Sequence, residues 1–114
     1  MKDKFNIVTN VKKTVLYLDK IIVNFPRTEK VLKDKILNDM YSILELVYLA
    51  NECTGKERII CQKKIVTKVK MIDFYLKIAC GKKYIPYKKY QKVCTHLLNN
   101  LKLIYGWIKS EKVL

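Results

Sequence analysis

The sequence predicts an all-α protein, an antiparallel up-down-up-down four-helix bundle, and three observations lead there. The 114 residues include only three Gly and two Pro, and all of these but Gly106 fall in short breaks. The breaks are Asn24-Phe25-Pro26-Arg27-Thr28, the region around Thr54-Gly55, and Gly81 through Pro86. Between them lie segments of helical length, with apolar residues recurring at steps of three and four and no strand-like alternation. Half of the residues are apolar, so residues 1–114 form one domain able to bury a modest core, unlike a disordered basic tail.

The first helix, about 10–24, follows Val8, Val11, Val15, Leu18 and Ile22. The second, about 28–53, follows Leu32, Ile36, Met40, Ile43, Val47 and Ala50, with Leu37 and Leu44 widening the stripe. Thr28 suits its N-cap, and Glu29 suits the positive end of its dipole. The third, about 56–80, carries Cys61, Ile65, Val69, Ile72, Leu76 and Ala79, and Gly81 is a credible stop. The fourth, about 87–112, follows Tyr90, Cys94, Leu97, Leu101, Ile104 and Ile108. Pro86 precedes it, where a missing N–H costs nothing.

Two helices carry a second apolar face. On the third, Ile60, Met71, Phe74 and Ile78 lie opposite the core stripe, among Lys63, Lys64, Lys70 and Lys77. On the fourth, His96, Leu103 and Trp107 share an otherwise polar face with Lys89. An isolated bundle has no use for apolar residues on its back, so Ile60, Met71, Phe74, Ile78, Leu103 and Trp107 are expected at a subunit interface.

Charge is distributed unevenly. Residues 1–54 hold nine Lys/Arg against seven Asp/Glu; residues 55–114 hold fifteen against three. A body so basic in one half attracts polyanions or an acidic protein surface. Lysine is a flexible point charge suited to phosphate, and only Arg27 and Arg58 could read base edges bidentately, so binding is expected to follow shape and salt rather than sequence. The expected RNA contacts are Lys63, Lys64, Lys68, Lys70, Lys88, Lys89 and Lys92. Tyr84, Tyr87 and Trp107 are placed to stack on unpaired bases, whereas Tyr90 is better explained as core. The alternative is a helical adaptor whose lysines meet an acidic protein partner, with no nucleic-acid role.

No catalytic constellation is expected. His96, the only histidine, is two residues from Cys94, so the two diverge on a helix. No arginine stands shortly before His96 as in the HEPN ribonucleases, and no glycine-rich phosphate loop or carboxylate pair is present. The cysteines (Cys53, Cys61, Cys80, Cys94) lack zinc-like spacing and read as reduced structural thiols. The protein is therefore read as a non-enzyme with no cofactor or metal. Its apolar runs fall far short of the ~20 residues needed to span a bilayer. The lysine-rich first twenty residues do not read as a secretory signal, so the default expectation is a cytoplasmic protein without a membrane partner.

Several stretches occur in a telling order: Phe25-Pro26-Arg27-Thr28-Glu29-Lys30, Leu44-Glu45-Leu46 with Ala50-Asn51, Arg58, Leu76-Lys77-Ile78-Ala79, and Gly106-Trp107-Ile108-Lys109-Ser110. Together, over about residues 15–110, they resemble the accessory variability determinant (Avd) proteins of diversity-generating retroelements, within a wider group of four-helix proteins that includes those encoded in ribosomal RNA intervening sequences. The resemblance implies a homopentameric barrel of four-helix protomers. It also implies binding to template-region RNA and to the element's reverse transcriptase, in support of mutagenic cDNA synthesis. Arg27 and Arg58 stand at matching motif positions and join the expected RNA contacts, with helix capping or pairing between protomers as their alternative roles. The chain departs from the family pattern at Val31 and at Tyr105-Gly106.

Overall fold

Each break turns the chain back on itself in the computed structural model, which describes residues 2–113 and the side chains of 6–110. The helices are α1 (Lys2–Ile22), α2 (Lys30–Glu52), α3 (Gly55–Gly81) and α4 (Tyr87–Val113), with a 3-10 turn at Arg27–Glu29 before α2. No strand occurs among the described residues. Each helix packs on two neighbours, in the order α1, α2, α3, α4 and back to α1, with no diagonal pair of helices in contact among the described residues. The body measures 47 × 23 × 18 Å. Cross-helix contacts give the direction: Thr14 meets Asn100 and Tyr17 meets His96, while Asp73 meets Tyr90 and Arg58 meets Trp107. In both pairs of helices one number rises as the other falls, so neighbours run antiparallel.

The core is a single cluster. All six expected residues of α3 are buried, together with Ile36, Met40, Ile43, Val47 and Ala50 of α2. In α1 the buried series begins earlier than expected, at Ile7, and runs through Val11, Thr14, Leu18 and Ile21. Ile7 lies one residue before Val8, and Val8 and Val15 of the expected stripe are only half-buried, so the buried face of α1 is rotated from the expected one.

The face of α4 differs from the sequence expectation. The buried residues are Val93, Leu97, Asn100, Ile104 and Trp107. At 100° per residue, that arc is rotated by about 60° from the expected stripe. The cause is α1, which packs along α4 and buries polar residues that an apolar count overlooks. Asn100 Nδ2 donates to Thr14 Oγ1 at 3.1 Å, inside the bundle. Trp107, expected at a subunit interface, is 3% exposed, and Leu103 is half-buried against the core. Both belong to the protomer's own interior.

The connections also correct one cap. Thr28 is exposed within the 3-10 turn and does not cap α2, which begins at Lys30 without a side-chain cap. Phe25 is buried, and the Glu29 N–H bonds back to the Pro26 carbonyl, so helical geometry starts later. At the other turn Gly81 ends α3, but the left-handed residue is Lys83, at φ 65°. Gly55 opens α3 at φ 59°, a conformation that glycine takes without a Cβ penalty.

Candidate nucleic-acid interface

The outward face of α3 is the best-formed candidate surface. Ile60 and Phe74 are each 54% exposed and Met71 is 39% exposed, with Ile78 half-buried beyond them. Spacings of 3, 4, 7 and 11 residues put these side chains on one line, about 27 Å long from Ile60 to Ile78. Lys63, Lys64 and Lys68 join Ile60 and Thr67 around a shallow depression of about 620 Å³. Lys63 and Lys64 are exposed; Lys68 leans toward α2, where its Nζ lies 3.6 Å from Asp39. Lys70 stands on the opposite edge of α3, toward α4.

Lys88 and Lys89 are exposed in the first turn of α4, where the helix dipole adds to their positive potential. Arg27 is exposed at the same end of the bundle, because the 3-10 turn is fastened to the α3–α4 turn. The fastening is Glu29, whose Oε1 accepts hydrogen bonds from Lys82 Nζ at 2.9 Å and Tyr84 Oη at 2.8 Å. These bonds hold the Glu29 carboxyl below its ordinary pKa, with Lys82 the larger cause. Phe25 packs against the Tyr84 ring at 5.7 Å. The expected RNA contacts thus divide into two groups: Lys63, Lys64 and Lys70 along α3, and Arg27, Lys88 and Lys89 at the end holding Glu29. Lys92 joins neither, since its Nζ sits over the Tyr17 ring at 5.1 Å, on the α1 side.

Arg58 is a correction to the expected RNA-binding set. It is 9% exposed. Its Nε donates to the Ala50 carbonyl at 2.9 Å and its Nη2 to the Asn51 carbonyl at 3.4 Å. The guanidinium also lies 5.7 Å from the Trp107 ring. It therefore closes the C-terminal end of α2, where carbonyls lack intrahelical partners, and is not available to phosphate. Ala50-Asn51 and Arg58, from either side of the α2–α3 turn, meet the sequence-distant Trp107 in this one cluster.

The only histidine does not assemble a nucleophile. His96 stacks obliquely on Tyr17 at 5.1 Å, and burial first, then Lys92 and Lys13, push its pKa down. Cys94 turns toward α3 instead, where its Sγ lies 3.6 Å from Asp73 Oδ1 and burial pushes the thiol pKa up. Asp73 also accepts from Tyr90 Oη at 3.4 Å and pairs with Lys77 at 3.5 Å. Among the described residues no group of three His, Cys, Asp or Glu side chains could hold a metal ion. No helix among them is long and apolar enough to cross a membrane.

Sequence reasoning missed the Glu29 clasp, the Arg58–Trp107 cluster and the groove around Asp73. The one available signal for the groove was that Asp73 is an isolated acid in a strongly basic segment. Fold and surface together define a small four-helix bundle with a lysine-bordered apolar stripe on one outer face. The chain matches no protein-family model and no curated protein.

Proposed function

We propose that the protein is a non-catalytic scaffold that binds structured RNA as the accessory protein of a diversity-generating retroelement. In this role it assembles as a homopentamer and holds template-region RNA and the reverse transcriptase in an arrangement competent for priming mutagenic cDNA synthesis. The observation that carries the reading is the lysine field. Asp39, Asp73 and Glu29 are already paired with Lys68, Lys77 and Lys82. Lys63, Lys64, Lys70, Lys88 and Lys89 are exposed and in no ion pair among the described residues, so they are open to phosphate. The outward line of Ile60, Met71, Phe74 and Ile78 supports the assembly, because a second copy would remove it from water.

The test is titration of the protein into its template-region RNA at ~0.15 M salt, with scrambled RNA and duplex DNA as controls. Preference for the structured RNA, lost steeply with salt, is the expected result. Reversing Lys63, Lys64 and Lys70 to Glu weakens binding at least about tenfold, while Phe74→Glu releases monomers in sedimentation. Equally weak binding to all three nucleic acids would leave the lysines as a protein-docking surface.

A further inference from the structure

We propose that the groove between α3 and α4 receives an amphipathic helix of a partner protein whose flanks are acidic. The groove has a volume of about 330 Å³ and an apolar floor made by Val69, Leu97, Leu98 and Leu101. Leu98 is 56% exposed and Tyr105, two turns on, is 47% exposed. These residues lie where the rotation of α4 toward α1 has turned part of its apolar arc away from the core. The walls span Val69–Lys77 on α3 and Tyr90–Leu101 on α4, about 12 and 17 Å of helix, enough for roughly three turns of a guest.

Charge identifies the guest. Lys70 and Lys77 line the α3 wall on either side of Asp73, and Lys63 precedes them at the same seven-residue interval. The Asp73 carboxylate is occupied by Lys77 at 3.5 Å and the Tyr90 hydroxyl at 3.4 Å, which leaves a net positive wall. On α4, Lys102 lies one turn beyond Leu98, and Lys109 follows at seven residues. A seven-residue interval keeps side chains on nearly one helical line, so an apolar floor is bordered by two rows of exposed cations. A helix fits when its apolar ridge meets the floor and carboxylates on both flanks meet the lysines, as flanking charges select partners in coiled coils.

A second copy of this chain lacks that pattern. The outer face of α2 carries Asp34, Glu45 and Glu52 near its midline, with Tyr41 and Tyr48. Docked in the groove, those carboxylates would be pressed against leucines and the lysine rows left unmatched, at a desolvation cost. The outer face of α1 carries Lys12, Lys13 and Lys20 and would repel the groove. Lys63 and Lys70 border the groove and are shared with the RNA reading, whereas Lys77, Lys102, Lys109 and Leu98 are not among the proposed RNA contacts and serve to test the groove separately.

The test is fluorescence anisotropy with a labelled 21-residue peptide (about six helical turns) bearing Leu at heptad positions a and d and Glu at e and g. A peptide with Lys at e and g is the control. Saturable binding of the acidic peptide alone is expected, weakened at least about tenfold both by Leu98→Glu and by the triple variant K77E/K102E/K109E. The triple variant should gain affinity for the basic peptide. All these positions are exposed, and circular dichroism verifies that both variants fold. Equal binding of the two peptides, or indifference to both variants, overturns the proposal. Displacement of the peptide by single-stranded RNA, with RNA binding lost in Leu98→Glu, would assign the groove to nucleic acid. Conversion of a self-associated form to monomer by Leu98→Glu would assign it to a second copy.

Discussion

Arg58→Ala separates a structural arginine from an RNA-binding one. The side chain donates two hydrogen bonds to carbonyls at the end of α2, at 2.9 and 3.4 Å, and stacks near Trp107. A hydrogen bond from a charged donor contributes about 1.5–3 kcal/mol, and a partly desolvated cation–π contact about 1 kcal/mol. Counting the shorter bond fully and discounting the longer one, these contacts alone contribute about 3 kcal/mol. An unfolding entropy near 2.1 cal/mol/K per residue gives about 0.24 kcal/mol/K for this chain, so Tm falls by about 12 °C. Arg58→Lys keeps the charge and part of the stacking but not the planar fork, and should fall between wild type and Arg58→Ala. The assays are thermal denaturation by circular dichroism and RNA titration at a temperature where both proteins are folded. An unchanged Tm combined with a tenfold loss of RNA affinity would refute the capping role and return Arg58 to the interface.

Three further perturbations test the interior and the clasp. Ile72→Ala, at a fully buried position in the middle of α3, should cost about 3 kcal/mol in urea unfolding through transfer and cavity terms; a loss below about 1 kcal/mol would mean the core closes over the gap. Gln62 is fully buried with neither side-chain polar atom hydrogen-bonded, so Gln62→Met should stabilise the fold by about 1–2 kcal/mol; destabilisation would reveal a bound water or another partner for the amide. The Glu29 clasp contributes stability above the ordinary carboxylate pKa of 4.5, lost as pH falls through its lowered folded value; the raised pKa of Lys82 means its share persists below 10.5 and is lost as pH rises through the folded value. The Tm difference between wild type and Glu29→Gln should therefore be largest between those limits and should vanish in acid; a pH-independent difference would show that packing, not charge, holds the turn.

The legible part of the fold was the part written in apolar spacing. On α3 the expected stripe was buried residue for residue, because its neighbours bury only apolar side chains at those positions, and its exposed back stripe was legible for the same reason. On α4 the reading failed where a polar pair, Asn100 with Thr14, does core work. Counting only apolar residues drew the apparent centre of that face toward Tyr90, Cys94 and Leu101, and placed Trp107 outside. Arg58 was misread for a related reason. A cation in a basic segment looks like surface until the carbonyls it closes are located, and those belong to the preceding helix. Contacts between residues distant in the chain close the two ends of the bundle: Phe25 and Glu29 meet Lys82 and Tyr84 at one, and Ala50 and Asn51 meet Arg58, which meets Trp107, at the other.

Assembly and RNA binding are coupled by charge in the proposed scaffold, with an effect of predictable sign. Each copy carries a net charge of +14, and a contact along Ile60, Met71 and Phe74 brings Lys63 and Lys64 toward the neighbouring protomer. Apolar burial favours that contact at any ionic strength, while lysine repulsion opposes it most at low salt, where the Debye length is long. RNA-free assembly should therefore strengthen on moving from about 0.05 to 0.3 M salt, as screening extends inward. With RNA bound, phosphates neutralise the same lysines and the dependence reverses, because salt now weakens the bridging ligand. By linkage, RNA must tighten assembly by the same factor by which assembly tightens RNA binding. Sedimentation velocity at both salt concentrations, with and without RNA, measures all four states. If the two salt trends have the same sign, the lysines beside the apolar stripe are not where RNA binds, and the stripe and the lysine field serve separate partners.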